Sequence, residues 1–313
     1  MAGISFVVPV HNEEESLQAF YKELLIVCKK LGKCEIIFVD DGSTDRSLVI
    51  LKSFLRSNKR IAVYSFRKNQ GKAEALTFAF QKAKEDSIVT LDADLQDKPS
   101  EVQRLLPFIK KYDLVCGWRR KRKDTLVKKI FSKMFNDLAR VLWGLQLHDY
   151  NCGLKVYKKE AAKAVRLYGG LHRFIPLLVY EQGFSVTEVP VVHARRQYGK
   201  SKYAISKIWT ELPDIFTVVF LSKYASKPLH FFGGIGLLLF ATGAIILLYI
   251  AIIKFTTGVI GERPILFLGM VLVISGLQAF FTGFLADMMI NIHKKDNIEY
   301  RTPGFLKYAS EKK

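Results

Sequence analysis

Acidic residues are scarce in this 313-residue chain: 29 Asp and Glu stand against 48 Lys and Arg, a formal net charge of +19. Cysteine is scarcer still. The four present (Cys28, Cys34, Cys116, Cys152) have neither metal-type nor redox spacing, so they read as reduced cytosolic thiols. The opening Met1-Ala2-Gly3-Ile4-Ser5-Phe6 lacks the basic stretch and small-residue cleavage site of a signal peptide, and the first 200 or so residues are therefore expected to stay unexported. Glycine is missing where a dinucleotide fold needs it. The first apolar run leads into Pro9 and Asn12 and not into a glycine-rich turn, which excludes a Rossmann dinucleotide site in its usual form.

Charge is absent altogether from Leu229 to Ile253 and from Ile265 to Ala286. At about 1.5 Å per residue each run can cross the ~30 Å hydrocarbon of a bilayer, and two buried core helices are the alternative. Pro228 and Pro264 open the runs, and Lys254, Glu262 and Arg263 fall between them. Outside lie Lys223, Lys227, Lys294, Lys295 and Arg301, an asymmetry that predicts both chain ends on the cytoplasmic side. The division expected is a cytosolic domain over 1–202, amphipathic interfacial helices over 203–227, two membrane helices within 228–292 (about 229–253 and 265–288) and a cytosolic basic tail over 293–313. The interfacial stretch carries Ile205, Ile208, Trp209, Leu212, Ile215, Phe216 and Val219 at helical spacing.

The basic excess is concentrated at Arg119, Arg120, Lys121, Arg122, Lys123, Lys128, Lys129 and Lys133. Such a segment is a solvated face, a nucleic-acid contact or a surface for anionic membrane lipid, and a neighbouring membrane hairpin favours lipid over nucleic acid.

The first part of the chain alternates short apolar runs with helical stripes. Runs at 4–10, 35–39, 61–65, 87–91 and 114–116 read as strands, and 13–31, 46–55, 72–84 and 101–110 as helices. The fold class expected is α/β with a mostly parallel sheet, whose ligands bind beyond the carboxyl ends of the strands. Those tips are polar: Pro9-Val10-His11-Asn12-Glu13-Glu14, Asp40-Asp41-Gly42-Ser43-Thr44-Asp45, Arg67-Lys68-Asn69-Gln70-Gly71-Lys72 and Asp92-Ala93-Asp94-Leu95-Gln96-Asp97. The last places hard oxygen ligands at a strand's end, where Mg2+ or Mn2+ can bridge protein and a diphosphate. The Asp40 tip taken on its own reads first as a turn with a helix cap at Ser43 or Thr44, and the convergence of four such tips on one edge is what makes a site of it.

Together with Arg196-Gln197-Tyr198-Gly199-Lys200-Ser201-Lys202 and the hairpin, these motifs resemble the GT-A glycosyltransferases of family 2. Within them the chain is similar to the polyprenyl-phosphate glycosyltransferases, such as dolichol-phosphate mannose synthase and bactoprenol glucosyltransferases. The resemblance implies a GT-A, Rossmann-like catalytic domain followed by the two-helix hairpin, in the inner or plasma membrane, with its catalytic domain cytoplasmic. Nucleotide-sugar contacts fall on Pro9, Asn12, Glu13, Asp40, Asp41, Lys72, Asp92, Ala93, Asp94 and Arg196. A metal, Mg2+ or Mn2+, falls to Asp92, Asp94 and Gln96, and the acceptor phosphate to Arg119, Lys128 and Ser132. Asp94, Arg196 and Arg119 are the residues expected to act in catalysis. Lys128 stands where an arginine is common, and lysine lacks the planar fork. Asp149 and Gly153 match a further pattern on the acceptor side, and His172-Arg173-Phe174 a motif of the bacterial branch with no role attached.

The function implied is inverting transfer of a sugar from a nucleotide-sugar, a UDP-hexose such as UDP-glucose or UDP-N-acetylglucosamine, to undecaprenyl phosphate, yielding a lipid-linked donor for envelope or glycan modification. A GDP-mannose-dependent mannose synthase is the alternative, and a homo-oligomer is admitted. A processive polysaccharide synthase fits less well, because its Gln-x-x-Arg-Trp motif is missing. A membrane-anchored binder of anionic lipid or nucleic acid leaves Asp40, Asp41, Asp92 and Asp94 unexplained, so no nucleic-acid partner is expected.

Overall fold

The computed structural model describes residues 3–120, 136–137, 139–141, 143–194, 216–217, 220, 224, 227–258 and 264–295. Two compact units divide between Asp214 and Ile215.

The first unit is built on a seven-stranded sheet in the order β3-β2-β1-β4-β6-β5-β7. β1 (Ile4–Val10), β2 (Cys34–Asp40), β3 (Ile61–Ser65) and β4 (Ser87–Thr90) run parallel. The near-continuous apolar stretches of β1 and β2 follow from burial on both faces, where alternation would put polar groups into the core. β6 (Lys155–Lys158) is antiparallel to both β4 and β5 (Leu114–Trp118), and β7 (Val186–Pro190) is parallel to β5. Two reversals cancel. The carboxyl ends of β1 to β5 and β7 therefore share one edge with the start of β6, which gathers loops distant in sequence onto a single rim.

Helix α1 (Leu17–Leu31) buries Leu17, Phe20, Tyr21, Leu24 and Val27, one stripe of a 3.6-residue period. Tyr21 stacks on Phe54 of α2 (Ser47–Ser57) at 4.0 Å between centroids. Each fully buried large apolar side chain here, Phe20 and Leu24 among them, contributes roughly 1.5–3 kcal/mol. Helix α3 (Lys72–Lys82) packs Ala73, Ala75, Leu76, Ala79 and Phe80 inward. The expected helix over 101–110 is broken: only α4 (Val102–Leu105) is α-helical, between 3-10 turns at Pro99–Glu101 and Leu106–Lys110. Pro107 lacks the N–H that would continue it. Beyond β6, α5 (Lys159–Ala164), a 3-10 turn (Gly169–Phe174) and α6 (Ile175–Glu181) complete the layer.

In the second unit, α7 (Pro228–Thr257) and α8 (Pro264–Lys295) are long and apolar enough to cross a membrane. Leu237, Leu238, Ile245, Phe267, Ile274 and Met289 all face outward, as suits lipid and not water. The inner faces meet through glycine. A Cβ on Gly236 would sit 2.7 Å from Gly276 O, one on Gly243 2.7 Å from Gly269 O, and one on Gly276 2.6 Å from Phe240 N. Small residues of this kind let helix backbones approach and gain van der Waals contact where no hydrophobic drive exists between apolar helices. The interfacial helices expected over 203–227 fall largely outside the described residues.

Candidate active site

The tip after β1 is tied to the tip after β2. Asn12 takes a left-handed conformation (φ 54), which a short amide side chain tolerates, and its Oδ1 accepts the Thr44 N–H at 2.8 Å. In return Ser43 Oγ accepts the Asn12 N–H at 3.0 Å and Ser47 Oγ the Glu13 N–H at 2.9 Å. His11 Nδ1 lies 2.9 Å from Asp41 O. Asn12 thus spends its amide oxygen on the neighbouring loop, a scaffolding contact that the sequence does not display.

Asp40 and Asp41 are both buried, and both are satisfied. Ser65 Oγ donates to Asp40 Oδ2 at 2.7 Å, while Asp41 accepts the N–H groups of Gln70 (2.7 Å) and Gly71 (2.9 Å). Asp41 so clamps the turn that launches α3. Directly after them Gly42 (φ +63) backs onto the third tip, where a Cβ would lie 2.5 Å from both Asn69 N and the Lys68 carbonyl carbon. Gly42→Ala is expected to destabilise the protein by about 2–4 kcal/mol, the left-handed penalty plus a backbone clash. Thermal unfolding checks this, and a variant melting with its parent contradicts it.

A cleft opens between these tips, lined by Pro9, Val10, His11, Glu13, Asp41, Lys72, Asp92, Ala93 and Asp94. From the first turn of α3, Lys72 Nζ reaches Asp92 Oδ1 at 2.5 Å, each side chain about one-third exposed at 35 and 34%. Burial works against both charges, yet the pair's mutual attraction outweighs it: the Lys72 pKa is raised and that of Asp92 lowered, with Asp94 and Lys155 helping respectively. Asp94 Oδ1 accepts the Gln96 N–H at 3.1 Å. Leu95 between them is held at φ 59, a conformation that costs a non-glycine residue about 1–3 kcal/mol and marks an over-determined turn.

Behind Asp92 stands Gly153, where a Cβ would fall 2.6 Å from Asp92 Oδ2. Thr90 Oγ1 donates to Gly153 O at 2.8 Å, and buried Lys155 donates to Cys152 O. His172 lines a small cavity shared with Lys72, Asp92 and Lys155. Burial, with Lys72 and Arg173 beside it, pushes its pKa down to about 3, so the ring is neutral at physiological pH. Sequence reading left this histidine without a place; it belongs to the wall behind the Lys72–Asp92 pair.

Asp97 was legible only as the third carboxylate of its run. It is buried, with Oδ2 accepting the Leu154 N–H at 3.2 Å and Oδ1 3.0 Å from His193 Nδ1. The Ala194 N–H donates to Gln96 O at 2.9 Å. The chain therefore passes directly against the Asp94 turn two residues before Arg196, which lies outside the described residues.

On the far side, Arg119 at the end of β5 forks onto Asp149, Nε to Oδ2 at 2.6 Å and Nη2 to Oδ1 at 2.9 Å. Burial works against the guanidinium charge, but Asp149 holds its pKa raised. Lys128 and Ser132, expected beside it on the acceptor phosphate, lie outside the described residues.

Among the described residues no cluster of three or more His, Cys, Asp or Glu is arranged to hold a metal ion. Asp92 and Asp94 on one cleft nevertheless suit a hard cation that takes one or two carboxylates and completes its shell with substrate phosphate and water, as Mg2+ does.

Strand tips thus gather carboxylates and a lysine around one cleft, at the edge of a mixed sheet packed with helices. Residues 5–166 match the family described as Glycosyl transferase family 2, and the chain belongs to it and is a glycosyltransferase. Among curated proteins it is 36% identical to dodecaprenyl-phosphate galacturonate synthase of Rhizobium johnstonii, over 94% of this chain and 89% of that one. It is 35% identical to undecaprenyl-phosphate 4-deoxy-4-formamido-L-arabinose transferase of Pectobacterium atrosepticum, over 79% and 75%. The fold is also that of glucosyl-3-phosphoglycerate synthase from Mycobacterium tuberculosis, solved with Mn2+, uridine diphosphate and phosphoglyceric acid (TM-score 0.56, 19% identity, 71% of this chain and 78% of that one).

Proposed function

We propose that the protein transfers a sugar, with inversion, from a nucleotide-sugar to a polyprenyl phosphate at the cytoplasmic face of the membrane. The observation that carries this is one cleft lined by Asp41, Lys72, Asp92 and Asp94, in a chain aligned over nearly its whole length with a dodecaprenyl-phosphate sugar transferase. The two apolar helices supply the means of staying where a lipid acceptor resides. A UDP-sugar is the donor class proposed. Its sugar is left wider than the UDP-hexose expected from sequence, since relatives are named for galacturonate and for 4-deoxy-4-formamido-L-arabinose.

A lipid monophosphate is anionic at neutral pH and needs no general base to become a nucleophile. What the chain must supply is alignment and charge. The rim fixed by Asp41 and Asn12 receives the nucleoside, and Lys72 turns part of its charge from Asp92 to the incoming diphosphate. Arg196 is assigned the same phosphates, where its planar fork suits bidentate contact. A divalent ion held by Asp92 and Asp94 would neutralise charge on the departing nucleoside diphosphate. Arg119, Lys128 and Ser132 are assigned the acceptor phosphate, and a single in-line displacement then inverts the anomeric carbon. Exclusion of water from the cleft protects the donor from hydrolysis.

The test is the purified protein in nanodiscs with polyprenyl phosphate and labelled UDP-glucose, UDP-N-acetylglucosamine, UDP-galacturonate and GDP-mannose. Label should enter the lipid fraction only when polyprenyl phosphate is present. Free sugar without labelled lipid, from every donor, contradicts the proposal.

The proposed orientation has both termini in the cytoplasm and only a short loop near Gly258 to Gly261 on the other side. An impermeant maleimide applied to intact cells is expected to label Thr257→Cys and to spare Ser310→Cys. Equal labelling of the two overturns the orientation.

A further inference from the structure

Glu188 has no part in the motifs that mark the nucleotide-sugar cleft, yet it organises the residues around Arg119. It sits on the edge strand β7 opposite Cys116 of β5, with only 11% of its side chain exposed. Its Oε2 accepts two successive backbone N–H groups, those of His148 at 2.8 Å and Asp149 at 3.2 Å. Its Oε1 meets the Nδ1 of His148, whose ring stacks on Trp118 with centroids 4.2 Å apart. One carboxylate thus fixes the backbone at the point from which Asp149 projects, and Asp149 in turn forks Nε and Nη2 of Arg119. Among the described residues no hydrogen bond engages Arg119 Nη1, the nitrogen left to meet a ligand.

We infer that Glu188 is a positioning residue for the acceptor: it sets Asp149, and through it aims the Arg119 guanidinium at the lipid phosphate. This rests on the reading that Arg119 holds the acceptor phosphate. A guanidinium with two nitrogens locked in a fork presents its remaining edge in one direction, which lowers the entropy lost when phosphate arrives. Misplacement by about 1 Å is enough to cost up to 100-fold in rate. A carboxylate that merely ties β7 to the 148–149 loop would affect stability and leave the two substrates equally served.

A double-mutant cycle separates these outcomes, using the full chain in nanodiscs, a short-chain polyprenyl phosphate and whichever sugar nucleotide the parent turns over. Glu188→Ala is expected to raise the acceptor KM about tenfold with the donor KM within about twofold, and Glu188→Ala in an Arg119→Ala background to add almost nothing, because the two act on one contact. Multiplicative effects in the double variant, or acceptor and donor KM values rising together, overturn the inference. Should Glu188→Ala fail to fold, Glu188→Gln carries the same cycle, with a rise of about threefold that vanishes in the Arg119→Ala background. An unchanged acceptor KM in Arg119→Ala removes the reading beneath the inference and overturns both. A raised KM there, with Glu188→Ala behaving as the parent, overturns the inference alone.

Discussion

Asp94→Asn should lower turnover at least ~100-fold, about 2.7 kcal/mol of transition-state stabilisation, while leaving the fold in place. The side chain lines the cleft, and its Oδ1 accepts the Gln96 N–H at 3.1 Å. Asparagine keeps an oxygen for that N–H and loses only the negative charge, so the turn that carries Leu95 survives. What disappears is the charge with which Asp94 is proposed to hold a hard cation against the donor diphosphate. Excess chelator acting on the parent should reproduce the loss, and added Mn2+ should rescue the parent but not the variant. Full activity in chelator, or a variant within threefold of the parent, would remove the metal from the mechanism.

Gly153→Ala should separate activity from stability in the opposite way to Gly42→Ala. The added methyl carbon meets Asp92 Oδ2 at 2.6 Å and Asp97 Oδ2 at 3.1 Å, both the ends of side chains, whereas at position 42 it meets backbone. Carboxylates can turn aside where a peptide cannot. Asp92 is therefore expected to swing out of line with Lys72, with kcat/KM for donor falling about 10- to 100-fold and the unfolding temperature moving by only a few degrees, since misplacement alone costs rates of that order. Calorimetry and initial rates on one preparation check both halves. A melting temperature that collapses together with activity would show the contact to be structural.

The strand tips that form the cleft were legible because β1 to β4 are short apolar runs ending in polar clusters, with helical stripes between. Parallel strands advertise themselves in this manner, and the topology then delivers their ends to one edge without further information. β6 was not legible: Lys155-Val156-Tyr157-Lys158 is brief and flanked by lysines, and it exists because β4 and β5 leave a slot that an antiparallel strand fills. The same holds for β7, whose Val186-Thr187-Glu188-Val189-Pro190 is half-buried at the sheet's edge. Asp92 and Asp94 stand in a local pattern that a sequence displays on its own, and both line the cleft. Asp97, Gly153, His172 and Glu188 acquire their place from partners far along the chain: Leu154 and His193 for Asp97, Asp92 for Gly153, Lys72 for His172, Asp149 for Glu188. Single-sequence periodicity holds no record of such pairings.

The glycines between α7 and α8 bear on how this part of the chain can change over time. Gly236 and Gly243 on one helix, and Gly269, Gly276 and Gly283 on the other, recur every seven residues and bring backbone against backbone. Exchanging Leu238, Ile245 or Phe267, on the outward faces, for another apolar residue touches none of the contacts between the helices and should leave the pair intact. A single methyl at 276 instead meets Phe240 N at 2.6 Å and wedges the helices apart, and neither can slide past the other without bringing bulky side chains into the seam. The helix pair is consequently expected to behave as one body with a fixed register, and its least replaceable positions are those that carry no side chain at all.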